Sequence, residues 1–145
     1  MPADTVHTPL SVVVYDGHYD KVHYALAMAA AAAAIDRPVT LFFTMDACRA
    51  LMTDESGTEA WRAMPTTTGE LGGAMDARFQ SDRIASFEEL LESCIGLDVA
   101  IMVCEMGLKA RGLASDSLRP DVTVEPGGLV TFLAGPAKDG QLVFI

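Results

Sequence analysis

Apolar positions in this 145-residue chain fall in short runs separated by turn residues. Leu10-Ser-Val-Val-Val-Tyr15 is β-branched and brief, and Asp16-Gly17 stops it, which predicts a buried strand. From Lys21 to Ala34 the residues favour helix, with Asp20 as a candidate cap and an Ala-rich middle that would let the helix lie close to a sheet or another subunit. Arg37-Pro38 ends that helix, and Val39-Thr-Leu-Phe-Phe-Thr44 predicts a second strand. Strand, helix and strand in this span form a βαβ unit, which implies a parallel sheet.

Met45–Thr53 reads as a short helix or turn carrying Cys48. Over 54–83 the pattern breaks: Gly57, Pro65, Gly69, Gly72 and Gly73 punctuate a polar stretch with Trp61 as its one large anchor, so this segment is expected to be an irregular insertion or lid. Order returns at Ser86-Phe-Glu-Glu89, a capping box opening a helix to about Ile95, closed by Gly96. Val99–Val103 then predicts a buried strand running directly into a helix that ends at Gly112, with Cys104 at the junction. Asp121–Glu125 is expected as a fourth strand, Leu129–Ala134 as an apolar helix or strand, and Gln141–Ile145 as the last strand. Residues 1–9 read as a flexible arm and 10–145 as one domain. The fold expected is α/β, a three-layer α/β/α sandwich around a mostly parallel sheet of about five strands.

Half the residues are apolar and the net charge is −10, without any basic run. That disfavours direct binding of nucleic acid or an anionic membrane surface. The longest apolar run, Tyr24–Ile35, is too short to span a bilayer, and the N-terminus has no basic or apolar leader pattern. Cys48, Cys94 and Cys104 are widely spaced and form no CxxC pair, which points to reduced thiols in a cytoplasm. Phosphate-loop, dinucleotide and serine-hydrolase motifs are missing.

Candidate chemistry therefore concentrates on Cys104. A thiol at a strand-to-helix junction sits where unpaired N–H groups favour an anion, and strand carboxyl ends are where α/β sheets bind ligands. Glu105 opposes thiolate formation there, whereas Lys109 and Arg111 favour it. Met106 could line the thiol's pocket. Cys48 follows the second strand and could reach Cys104 as a resolving thiol, or it is an isolated surface cysteine. Cys94, beside Leu90 and Leu91 on a core-facing helix, reads as packing. His18 and His23 flank the first strand-to-helix turn; lying five positions apart they do not share a helical face, so no metal site is assigned. The rival to thiol chemistry is a non-catalytic oligomeric module binding a small ligand or metal near these histidines.

The run Phe87 to Gly112, in which a helix ending in Gly precedes a strand that delivers a cysteine to a second Gly-terminated helix, resembles the DsrE/DsrF-like superfamily, which includes TusD-type sulfur-relay subunits. The Ala-rich helix and Val-Thr-Leu-Phe-Phe-Thr agree with it, and the resemblance spans roughly 10–52 and 84–145. It implies a three-layer fold, a homo-oligomer (trimer or hexamer), protein sulfur donors and acceptors, no cofactor, and sulfurtransferase-like persulfide carriage on Cys104. The Cys104-x-Met106 pattern resembles a branch associated with sulfur oxidation.

Overall fold

A computed structural model describes residues 7–145. Five strands form one sheet: β1 (Leu10–Val14), β2 (Val39–Phe43), β3 (Ala100–Cys104), β4 (Glu125–Gly127) and β5 (Gln141–Phe144). Their spatial order is β4-β3-β2-β1-β5 and every pairing is parallel. Five helices accompany them: α1 (Tyr19–Ala34), α2 (Gly72–Ser81), α3 (Phe87–Gly96), α4 (Glu105–Ala110) and α5 (Leu129–Ala134). Helices on both faces of a parallel sheet make the three-layer α/β/α sandwich expected from the sequence.

The two outer layers are unequal. The chain steps outward from β1 through β2 and β3 to β4, then returns past β1 to place β5 on its far side. Because parallel crossovers are right-handed, reversing the direction of travel moves the connecting helix to the opposite face. One face thus carries α1 to α4. Val12, Val14, Leu41, Phe43, Ile101 and Val103 pack there against Val22, Leu26, Ala29, Phe87 and Leu91. Among the described residues the other face carries α5 alone, whose Phe132 joins Val13, Phe42, Met102 and Cys104. Small side chains bring α1 close, with Ala25, Ala29, Ala32 and Ala33 all buried. The capping box holds as drawn: Ser86 Oγ accepts from Glu89 N at 3.1 Å and Glu89 Oε1 from Ser86 N at 3.0 Å.

Four local expectations change. The cap of α1 is His18, not Asp20; Asp20 lies in the first turn and accepts from Thr67 N at 3.0 Å and from its hydroxyl. The helix begins early because Tyr19 is buried and its N–H donates to Pro65 O at 2.8 Å. Segment 54–83, expected irregular, contains a 3-10 turn (Ala60–Ala63) and α2. Its anchors are buried: Trp61 rings lie 5.5 Å from Tyr19 and 4.8 Å from Phe87, and Asp76 accepts from the Tyr19 hydroxyl and from Phe87 N. The fourth strand lies at Glu125–Gly127 rather than 121–125. Asp121 is held in a turn by Arg119 (2.7 Å), so the chain extends only afterwards, where Gly127 draws level with Cys104. Pro126 is tolerated because β4 is an edge strand. At the N-terminal end, Thr8 O accepts from Arg37 Nε and Pro9 O from Gln141 N; the remainder of the expected arm, 1–6, lies outside the described residues.

Candidate functional site

Cys104 is the last residue of β3 and the N-cap of α4. Parallel pairing sets it beside Gly127 of β4. From these two neighbouring strands the chain leaves in opposite directions: β3 feeds α4, whose Leu108 packs on the helix-rich face, and β4 feeds α5 on the other. A crevice opens between adjacent strands where their outgoing connections diverge in this way, and α/β sheets bind ligands there. Cys104 stands at that divergence.

Three loops pack side by side along this edge. Gly17, in the β1–α1 loop, lies against Asp46, where a Cβ would collide with the Asp46 side chain. Gly107 of α4 fits against Thr44 and Met45, where a side chain would likewise collide. Asp46 receives Arg49 at 3.4 Å and Arg111 at 3.3 Å. The Arg111 charge, expected to favour a Cys104 thiolate, is thus shared with Asp46.

The thiol itself is sealed. Cys104 is 1% exposed, and its neighbours Val13, Phe42, Met102 and Phe132 are apolar. Cys48 is also fully buried, in the 3-10 turn Met45–Leu51, and packs with the helix-rich face rather than with Cys104. Burial pushes the Cys48 thiol up to about 12, and the proximity of Cys104 adds to the rise. Cys94 donates to Leu26 O at 3.5 Å, and burial raises its thiol to about 11. Met106 points outward, 54% exposed.

The histidines separate. His23 is buried; its Nε2 bonds Ala85 O at 2.8 Å and its ring lies 4.8 Å from Phe79. His18 stays at the loop edge, its Nδ1 2.5 Å from Asp16 Oδ1. Asp16 also accepts from His18 N at 2.8 Å and from Lys21 Nζ at 3.2 Å. Burial alone would raise the Asp16 carboxyl, but the His18 and Lys21 hydrogen bonds outweigh it and hold it below the ordinary value. The carboxylate fixes the ring by accepting at Nδ1, which leaves Nε2 as the free nitrogen. His18 opens into a cleft of about 370 Å³ lined also by Tyr15, Asp46, Arg49 and Pro65. Among the described residues no group of three or more His, Cys, Asp or Glu could hold a metal ion.

Two features were not read from the residues. Arg119, nearly buried, forks onto Glu88 (2.7 and 2.8 Å) and Asp121, while Glu88 also accepts from Trp61 Nε1 at 2.8 Å. These contacts tie the segment before β4 to α3 and to Trp61; only the Arg-x-Asp spacing hinted at any of them. The packing of Phe132 into the cluster that holds Cys104 had no local signal at all, because the two lie 28 positions apart.

An all-parallel five-stranded sheet, helices on both faces and a thiol at the carboxyl end of an inner strand define a class of small α/β/α proteins. Within it, the DsrE/DsrF-like family model matches residues 10–138, and the chain belongs to that family. No curated protein matches the sequence. Among solved structures, the crystal structure of the ychN protein from E. coli is similar with a TM-score of 0.61 at 16% identity, covering 95% of this chain and 99% of that one. That likeness concerns the fold. Among the described residues no helix is long and apolar enough to cross a membrane.

Proposed function

We propose that this protein accepts and passes on a sulfur atom as a persulfide on Cys104. The observation that carries the reading is the station of Cys104 at the carboxyl end of β3, beside Gly127, where the outgoing chains diverge to opposite faces. Membership of the DsrE/DsrF-like family, a sulfur-relay related fold, supports it. The transfer resembles thiol–disulfide exchange. The Cys104 thiolate attacks the outer sulfur of a donor persulfide R–S–SH; the new Cys104 S–S bond forms as the donor S–S bond breaks, and R–S⁻ leaves. An acceptor thiolate then takes the outer sulfur and Cys104 returns to thiolate. The donor and acceptor are partner proteins.

The working form is a homo-oligomer. Tyr15, Leu142 and Phe144 expose apolar surface beside β5 on the thinly covered side of the sheet, with Phe144 67% exposed. Apolar side chains gathered on one side mark association surfaces.

The test is intact-mass analysis of reduced protein after incubation with a persulfide donor. Wild type gains one sulfur atom and Cys104→Ser gains none; a wild type that gains nothing, or a Cys104→Ser variant that gains as much, overturns the reading.

The Asp16–His18 pair favours a second reading, a small-ligand module in the His18 cleft. His18→Ala abolishing ligand binding, with Cys104→Ser silent, would select it. His23 takes no part in that module, since its ring is engaged with Ala85 and Phe79.

A further inference from the structure

A buried thiol cannot meet a partner's sulfur, so something over Cys104 has to move, and the helix packed on the cluster that holds Cys104 is α5. Phe132 is the only buried residue of this six-residue helix. It stacks on Phe42 with ring centroids 4.4 Å apart and planes 16° from parallel, and both rings belong to the cluster that encloses Cys104. The rest of the helix faces outward: Leu129, Val130 and Leu133 are all exposed.

Among the described residues its polar ties to the body are few. Phe132 N donates to Gly128 O, Gly135 N to Thr131 O and Ala137 N to Phe132 O, so these bonds lie within the α5 segment and travel with it. The attachment to the body comes from Ser11 Oγ, which donates to Pro136 O at 3.2 Å, and from Ala137, which packs on the Cys104 cluster. Glycines bracket the helix, Gly127 and Gly128 before it and Gly135 after it. Residues without a Cβ absorb backbone rotation at least steric cost. Such a segment belongs to the low-stability end of a fold, where opening costs less than unfolding the core.

We propose that α5 is a lid over Cys104, latched by Phe132 on Phe42 and hinged at Gly127–Gly128 and Gly135, and that its displacement exposes the thiol while the helix-rich face stays folded. The lid supplies the access that the sulfur-carrier reading needs, but it is tested without sulfur, so either idea can fail alone. If Cys104 becomes accessible yet never gains sulfur, the carrier reading falls and the lid stands.

The experiment is timed alkylation of the reduced, native protein with iodoacetamide, followed by peptide mass analysis that scores Cys104, Cys94 and Cys48 separately. Cys94, buried against Leu26 on the other face, reports unfolding of the core. Both rates are corrected by the intrinsic thiol reactivity measured in denaturant. In the wild type Cys104 labels at least about tenfold faster than Cys94, because labelling follows the population of each open state. Phe132→Ala widens that ratio at least about tenfold more.

Gly128→Ala acts in the opposite direction. Gly128 has φ −116° and ψ −173°, a conformation open to alanine, and a Cβ there meets no atom within 4 Å. Alanine leaves the closed state unstrained and restricts the hinge, slowing Cys104 labelling about two- to fivefold with Cys94 unchanged. Should Phe132→Ala fail to fold, the wild-type ratio and Gly128→Ala decide. Equal labelling of Cys104 and Cys94 in the wild type, or a Gly128→Ala variant with an unaltered ratio, overturns the lid.

Discussion

The two faces of the sheet are built on different terms. The face under α1–α4 is locked by large interleaved rings, Tyr19, Trp61 and Phe87, and by buried polar ties such as Tyr19–Asp76 and Arg119–Glu88. The opposite face has one short helix resting on Phe132. Cys94 and Cys104 sample this difference with the same side chain. Both are buried, yet Cys94 packs among the core helices and Cys104 in the small cluster under α5. Packing is thus divided unequally between the two sides of one sheet, and a thiol at a strand end is buried outside the main core.

The largest test of that division compares two phenylalanines. Phe87→Ala should cost about 3–5 kcal/mol in urea unfolding, the range for a fully buried Phe in a core that cannot collapse around the gap. Phe132→Ala should cost less than half as much, because its loss frees the α5 lid while the ring cluster on the other face remains. Equal losses would mean that both faces unfold as one unit and would remove the contrast.

A second test uses alkali. Cys48 is pushed to about 12 and Cys94 to about 11, chiefly by burial, against an ordinary value of 9.0, and burial with the Asp76 hydrogen bond also raises Tyr19. All three belong to the helix-rich face. Each is held neutral in the folded chain, so its contribution is complete below the unfolded value and is lost as pH climbs from about 9 towards the folded one. Stability measured by denaturation should therefore hold up to about pH 9 and fall above it, by an amount on the order of a few kcal/mol near pH 11. Replacing Cys94 with Ala should flatten part of that slope; an unchanged slope would show that Cys94 ionises as readily folded as unfolded.

The smallest expected effect lies at the entrance to α3. Ser86→Ala removes one half of the capping box and should lower stability by about 1 kcal/mol. Cys104 labelling should not respond, since α3 packs away from the lid. A rise in Cys104 labelling in this variant would show that the two faces communicate.

Much of the frame was legible in local pattern. β-branched runs bounded by Asp16-Gly17 and Arg37-Pro38 mark β1 and β2, and the Ser86–Glu89 spacing marks the start of α3, because strand burial and capping depend on residues a few positions apart. The family, too, was legible in the run Phe87–Gly112, which joins two helices and the strand between them. Less legible was 54–83: α2 has a weak apolar stripe and owes its place to Asp76 and Met75 meeting Tyr19, Phe87 and the core. β4 was misplaced because Arg119 captures Asp121, a contact that propensity does not encode. Asp20 looked like a cap and instead holds Thr67, 47 residues away.

At the site, local pattern was enough to put a thiol at the junction of β3 and α4, since hydrophobic run, junction and helix stop are all local. It also placed His18 beside the first turn, with Asp16 two residues before it. Long-range packing turns His23 inward, places Cys48 and Cys104 in different packing clusters, and brings Phe132 into the cluster around the thiol. Handedness of the chain's path explains the difference: once β5 must return past β1, α5 is carried to the opposite face, and the side chain it buries joins the cluster of Cys104.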